Sequence, residues 1–257
     1  MSKKIHYWKS IAYKDNNREC NLTPILILHG WMQTKETWDN VATILEKKRR
    51  VIYLDLPGFG DSIKNKKFYK YTPEDYTTII YQLLLHLKIK KIDILAHSFG
   101  GRIAIDFTTK YPKMVDHLIL FGAAGLKYNS IKSIAINTFS KTRLPDIAQN
   151  LMPKQFNEFK NRISSSDYKA AGDRRDIFMN AISFHVNKLL KNIKNETLII
   201  WGDLDTQLDI RNAHKFKSLI DNSQIEILKG YGHFAHIENP YLFAGIIENY
   251  LKQNVKK

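Results

Sequence analysis

The chain has 257 residues, 44% of them hydrophobic, with 40 Lys and Arg against 25 Asp and Glu, a formal net charge of +15. That length suits a single α/β domain of about 250 residues, and the composition is neither low-complexity nor acidic enough for disorder. The basic excess is dispersed and Lys-rich, with no basic helix interleaved with aromatics, no RNP-like motif and no Cys/His finger, so no nucleic-acid partner is expected.

The apolar runs, such as Ile25 to Leu28 and Leu198 to Trp201, fall far short of the roughly 20 residues that span a bilayer, so no integral membrane association is expected. The first residues are basic but lead into Ser10, Tyr13 and Lys14, not into the apolar core of a signal peptide. Cys20 is the single cysteine, which fits a reducing, cytoplasmic location.

In chain order, the segment up to about Cys20 reads as one or two antiparallel edge strands. Short runs rich in Ile, Val and Leu then recur at Pro24 to His29, Val51 to Leu56, Ile92 to Ala96, Leu118 to Phe121, Leu198 to Trp201 and Ile225 to Leu228, each the pattern of a buried strand. Helical periodicity fills most of the gaps. In Tyr71 to Leu87, Thr72 is placed to cap, Pro73 suits the first helical position and Asp75 completes a capping box. Alternating strands and helices predict a mostly parallel central sheet with helices on both faces. The alternation breaks between Leu126 and Asn195, which carries weak helical patterns, Pro145 and Pro153, and thirteen Lys or Arg against five Asp or Glu. It reads as a helical lid over one end of the sheet, dividing the chain into a core of residues 1–125 and 196–257 and a lid of 126–195.

The sharpest chemical signal is Ala96-His97-Ser98-Phe99-Gly100-Gly101, between a strand and a helix. A serine on such a turn is held in a strained backbone that exposes its hydroxyl, and the positions two before and two after it must be small. Ser98 is therefore the candidate nucleophile. Its hydroxyl is inert at neutral pH without an imidazole to take the proton and a carboxylate to orient that imidazole. Downstream, Gly202-Asp203-Leu204-Asp205 and Gly230-Tyr231-Gly232-His233 each follow a strand.

With these stretches, His29-Gly30-Trp31, Asp55-Leu56-Pro57-Gly58-Phe59-Gly60-Asp61-Ser62, and Glu238 with Pro240, nearly the whole chain resembles the α/β-hydrolase family. The resemblance implies an α/β-hydrolase fold with Ser98 as nucleophile, Asp205 as triad acid and His233 as base. It assigns the oxyanion donors to the backbone N–H groups of Trp31 and Phe99. Asp203 and Asp209 are then loop or capping groups, His236 a packing neighbour, and His29 and His97 hydrogen-bonded structural groups. The Gly58 and Gly60 turn lacks the third glycine of a dinucleotide site, and no His/Cys/Glu cluster has metal-ligand spacing, so neither cofactor nor metal is expected.

A serine nucleophile steers the expectation to hydrolysis of carboxylic esters or thioesters of a small molecule through an acyl-enzyme. Two alternatives share the pocket. One is a carbon–carbon bond hydrolase, needing further polar groups such as Arg102, Arg174 or Arg175. The other is a non-enzymatic ligand sensor.

Overall fold

A computed structural model describes residues 4–64, 70–127 and 171–253. Eight strands form one sheet: β1 (His6–Trp8), β2 (Ile11–Asp15), β3 (Ile25–Leu28), β4 (Val51–Leu54), β5 (Ile92–His97), β6 (Val115–Phe121), β7 (Glu196–Gly202) and β8 (Ser223–Leu228), in the order β1-β2-β4-β3-β5-β6-β7-β8. The β1–β2 and β2–β4 pairs are antiparallel and every other pair is parallel, so the N-terminal segment does form an antiparallel edge.

Because successive side chains of a strand point to opposite faces, a strand buried on both sides must be apolar throughout. Leu26 and Leu28 of β3 join one core, with Ile94, Leu120 and Trp201; Ile25 and Ile27 join the other, with Leu95, Ile119 and Ile200. Helices α2 (Pro73–His86) and α3 (Phe99–Lys110) close the first face through Tyr76, Ile80, Leu83, Ile103 and Phe107. The second is closed by α1 (Asp39–Leu45), through Val41 and Leu45, and by a C-terminal helix over Pro240–Gln253, through Phe243 and Ile247. The expected cap of α2 is present: Thr72 Oγ1 accepts from the Asp75 N–H, the Asp75 carboxylate accepts from the Thr72 N–H, and Pro73 opens the helix.

Strand β6 begins three residues before the apolar run that marks it in the sequence. Its polar start is held in place because Asp93 of β5 accepts from the His117 N–H at 3.2 Å and lies 2.7 Å from His117 Nδ1. Most of the expected lid, residues 128–170, lies outside the described residues. Its remaining part contains a 3-10 turn at Gly172–Arg174, α4 (Arg175–Ser183) and α5 (Asn187–Leu190). Past β7 come α6 (Arg211–Leu219), α7 (Ala235–Glu238) and the C-terminal helix, α8. Among the described residues no helix is long and apolar enough to cross a membrane.

Candidate active site

Ser98 stands between the end of β5 and the start of α3 with φ 49° and ψ −111°, a backbone conformation that non-glycine residues rarely adopt. The strain is held by neighbours. The Ser98 N–H donates to Phe121 O, and Ser98 O accepts from the N–H groups of Gly101 and Ala124, each at 3.0 Å. Small flanking residues are obligatory here, since a Cβ on Gly100 would come within 2.6 Å of Leu28 O and one on Gly101 within 2.6 Å of the Ala123 Cβ.

Two loops bring the partner groups to the same end of the sheet. Asp205 follows β7 and His233 follows β8, and His233 Nδ1 lies 2.6 Å from Asp205 Oδ2, with both side chains buried. The other carboxylate oxygen of Asp205 accepts from the N–H groups of Gln207 and Leu208, both at 2.8 Å, which fixes the acid against rotation. With Nδ1–H donated to Asp205, the neutral ring of His233 keeps its Nε2 lone pair for an incoming proton. Asp203 takes a different job, accepting from the Gly230 N–H at 2.7 Å and so tying the β7 loop to the β8 loop. Asp209 accepts from the Arg211 N–H at the start of α6.

Ser98 and His233 line one cavity of about 230 Å³. Its walls are aromatic and aliphatic, including Trp31, Phe99, Phe178 and Leu208. Trp31 meets Phe59, Phe99 and Phe178 at ring separations of 5.2, 5.7 and 5.2 Å, a packed wall with one edge on the cavity. Among the described residues neither the Trp31 nor the Phe99 backbone N–H has a protein acceptor.

Three other histidines are structural in their contacts. His29 accepts from the Leu56 N–H through Nε2 and lies 2.8 Å from Gly30 O through Nδ1, an arrangement that requires the neutral ring; burial lowers its pKa accordingly. His97 lies between Gln33 Oε1 and His233 O, and because burial with its histidine neighbours holds its pKa well down, the neutral ring has one N–H and donates to one of these two oxygens. His236 is fully buried, stacks on Trp38 at 4.2 Å and has no hydrogen-bond partner among the described residues for either ring nitrogen; burial pulls its pKa to about 3.

Residues absent from the sequence argument also shape this site. Gly122, at φ +48°, backs onto the His–Asp pair: a Cβ there would lie 3.2 Å from His233 Cε1 and Nδ1 and 3.6 Å from Asp205 Oδ2. Gln33 accepts from the Gly30 N–H at 2.8 Å and so braces the turn carrying Trp31. Neither carries a local signal, because each is defined by contacts with distant parts of the chain. Among the described residues, one group has the composition of a metal site: Asp93, Asp116 and His117, at the opposite end of β5 and β6 from Ser98. Arg49 already pairs with Asp93 and Lys91 with Asp116, so cations of the chain itself occupy that role.

A family model described as alpha/beta hydrolase fold matches residues 23–178, more than half of the chain. The chain belongs to the alpha/beta hydrolase fold family. One relative among these hydrolases is the 2-hydroxy-6-oxo-6-(2'-aminophenyl)hexa-2,4-dienoic acid hydrolase of Metapseudomonas resinovorans, 25% identical over 90% of this chain and 84% of the relative. Another is the human monoacylglycerol lipase ABHD6, 25% identical over 93% of this chain and 78% of the relative. Among solved alpha/beta hydrolases, the structure described as a membrane phospholipase A superposes with a TM-score of 0.78 at 22% identity, covering 100% of this chain and 87% of that one. At that identity the match speaks to the fold.

Proposed function

We propose that this protein is a serine hydrolase that cleaves carboxylic ester or thioester bonds of a small molecule. Ser98 is the nucleophile, His233 the general base and Asp205 its orienting acid. The reading is carried by the 2.6 Å contact between His233 Nδ1 and Asp205 Oδ2 in a cavity that also contains the strained Ser98.

In the first half-reaction His233 Nε2 takes the Ser98 proton as Oγ attacks the carbonyl carbon. The oxyanion that forms is held by the backbone N–H groups of Trp31 and Phe99, a contribution worth about 3 kcal/mol per donor in such sites. The intermediate collapses to an acyl-Ser98, and His233 delivers its proton to the departing alcohol or thiol. Water then repeats the sequence and releases the acid. Every proton is accounted for by His233, so no cofactor enters these steps. Of the expected lid, the described residues Phe178, Ala181 and Ile182 of α4 line the cavity and shape the side that takes the acyl part.

A second reading, carbon–carbon bond hydrolysis on the same triad, draws support from the relative named as a dienoic acid hydrolase. A panel of p-nitrophenyl esters of graded chain length, run beside 2-hydroxy-6-oxo-6-(2'-aminophenyl)hexa-2,4-dienoic acid, separates the two. Turnover of esters at about 1 per second or faster, lost in Ser98→Ala, is expected. Preference for the dienoic acid by kcat/KM favours the second reading, and slow or single-turnover hydrolysis of every compound favours a ligand sensor.

A further inference from the structure

Arg102 lies in the first turn of α3, one turn beyond Ser98, and its side chain lines the same cavity. It is part-buried and has no carboxylate partner among the described residues; desolvation, unopposed by any acid, lowers its pKa to about 10, so it stays charged at neutral pH. Its hydrogen bonds both leave from Nη1, to the carbonyl oxygens of Ala181 and Phe184 at the C-terminal end of α4. Those two bonds use both Nη1 hydrogens and fix the plane of the guanidinium. Nε–H and the two Nη2–H groups, the edge of the fork that fits a carboxylate in bidentate fashion, have no protein acceptor among the described residues.

A cation withdrawn from water without a counter-ion is costly, and proteins pair such groups or complete the pair with a ligand. Ser98 and His233 act on a carbonyl, while Gln33, His97 and Gln207 add only neutral polar groups to the lining and Arg102 brings a guanidinium with an anion-shaped set of donors. We propose that the cavity binds a substrate carrying a carboxylate on its acyl part, with that carboxylate paired to the Nε and Nη2 edge of Arg102 while the scissile carbonyl faces Ser98. This deepens the hydrolase reading and rests on it for the position of the scissile bond.

The test compares monomethyl glutarate with dimethyl glutarate, compounds of the same backbone with and without the charge. Binding is measured by calorimetry to the Ser98→Ala protein, where no turnover interferes. The charged compound is expected to bind at least tenfold more tightly, and Arg102→Met in the same background to erase the difference. Arg102→Lys, which keeps the charge and the packing of the stem but loses the planar fork, is expected to retain only part of it. No preference in the Arg102 protein overturns the proposal without any variant having to fold. A preference that survives both substitutions overturns it too, because it then comes from the overall positive charge. Hydrolysis by the wild-type chain is a separate readout: failure to cleave either compound while the binding preference holds counts against the hydrolase reading and leaves the carboxylate site standing.

Discussion

The ring of His97 holds the backbone of His233, its Nε2 lying 2.9 Å from the His233 carbonyl oxygen while its Nδ1 lies 3.0 Å from Gln33 Oε1. One side chain, next to Ser98 in sequence, thus links the loop carrying the base to the turn carrying Trp31. His97→Phe keeps an aromatic ring and the 4.8 Å stack on Phe121 but removes the ring N–H that the neutral imidazole offers to one of these two oxygens. Loss of a buried hydrogen bond costs about 1–3 kcal/mol, and each 1.4 kcal/mol on a barrier is about tenfold in rate. A folded His97→Phe protein is expected to lose about tenfold or more in kcat with KM little changed. A lowered melting temperature with kcat intact would reduce His97 to a packing role.

Gly122→Ala tests how tightly the His–Asp pair is backed. The new methyl sits 3.2 Å from the His233 ring and demands a positive φ, so both the backbone and the imidazole must shift. The conformational part alone costs about 1–2 kcal/mol. Activity is expected to fall by about tenfold or more, beyond what the loss of stability explains, and the His233 Nδ1 proton resonance to move. An unchanged resonance and rate would show that the loop absorbs the methyl.

His236 gives the opposite expectation, because both its ring nitrogens are buried without partners among the described residues. His236→Phe keeps the stack on Trp38 and removes two unsatisfied polar atoms, so the melting temperature at neutral pH is expected to hold or rise. The acid limb should change as well. Burial, helped by the neighbouring His233, pulls the folded pKa of His236 down to about 3, below the unfolded value of about 6.5. The unfolded chain therefore binds the proton first, and the wild type loses up to about 1.4 kcal/mol per unit from this group as pH falls from about 6.5 towards 3. Chemical denaturation at pH 7 and pH 4.5 should show a smaller pH effect in His236→Phe; an identical effect in both proteins contradicts the burial argument.

Asp205 is fixed by the Gln207 and Leu208 amides and is not interchangeable with Asp203, whose carboxylate holds Gly230. Asp205→Asn is expected to lower kcat by about 10³ to 10⁴ by favouring the wrong His233 tautomer, with Asp203→Asn affecting stability far more than rate. Steady-state kinetics of the two variants decides the assignment; a larger kcat loss in Asp203→Asn reverses it.

The parallel sheet was legible because strands buried on both faces must be apolar throughout, and the turn at Ser98 because its strain demands Ala96 and Gly100 as small flanks. The polar start of β6 was not, since Asp116 and His117 break the apolar pattern, His117 being placed by Asp93 on the adjacent strand and Asp116 by Lys91 and Thr23. The contact between His97 and Gln33 spans 64 positions, and Gly122 reads locally as an ordinary turn residue until the His233 ring is placed against it. Such long-range requirements leave no periodicity to read.

The central claim, that Ser98 is an activated nucleophile, is tested most directly with a fluorophosphonate probe followed by peptide mass analysis. A single adduct on Ser98 is expected, absent from Ser98→Ala and greatly slowed in His233→Ala. An adduct on another residue, or undiminished labelling of the Ser98→Ala protein, would contradict the account.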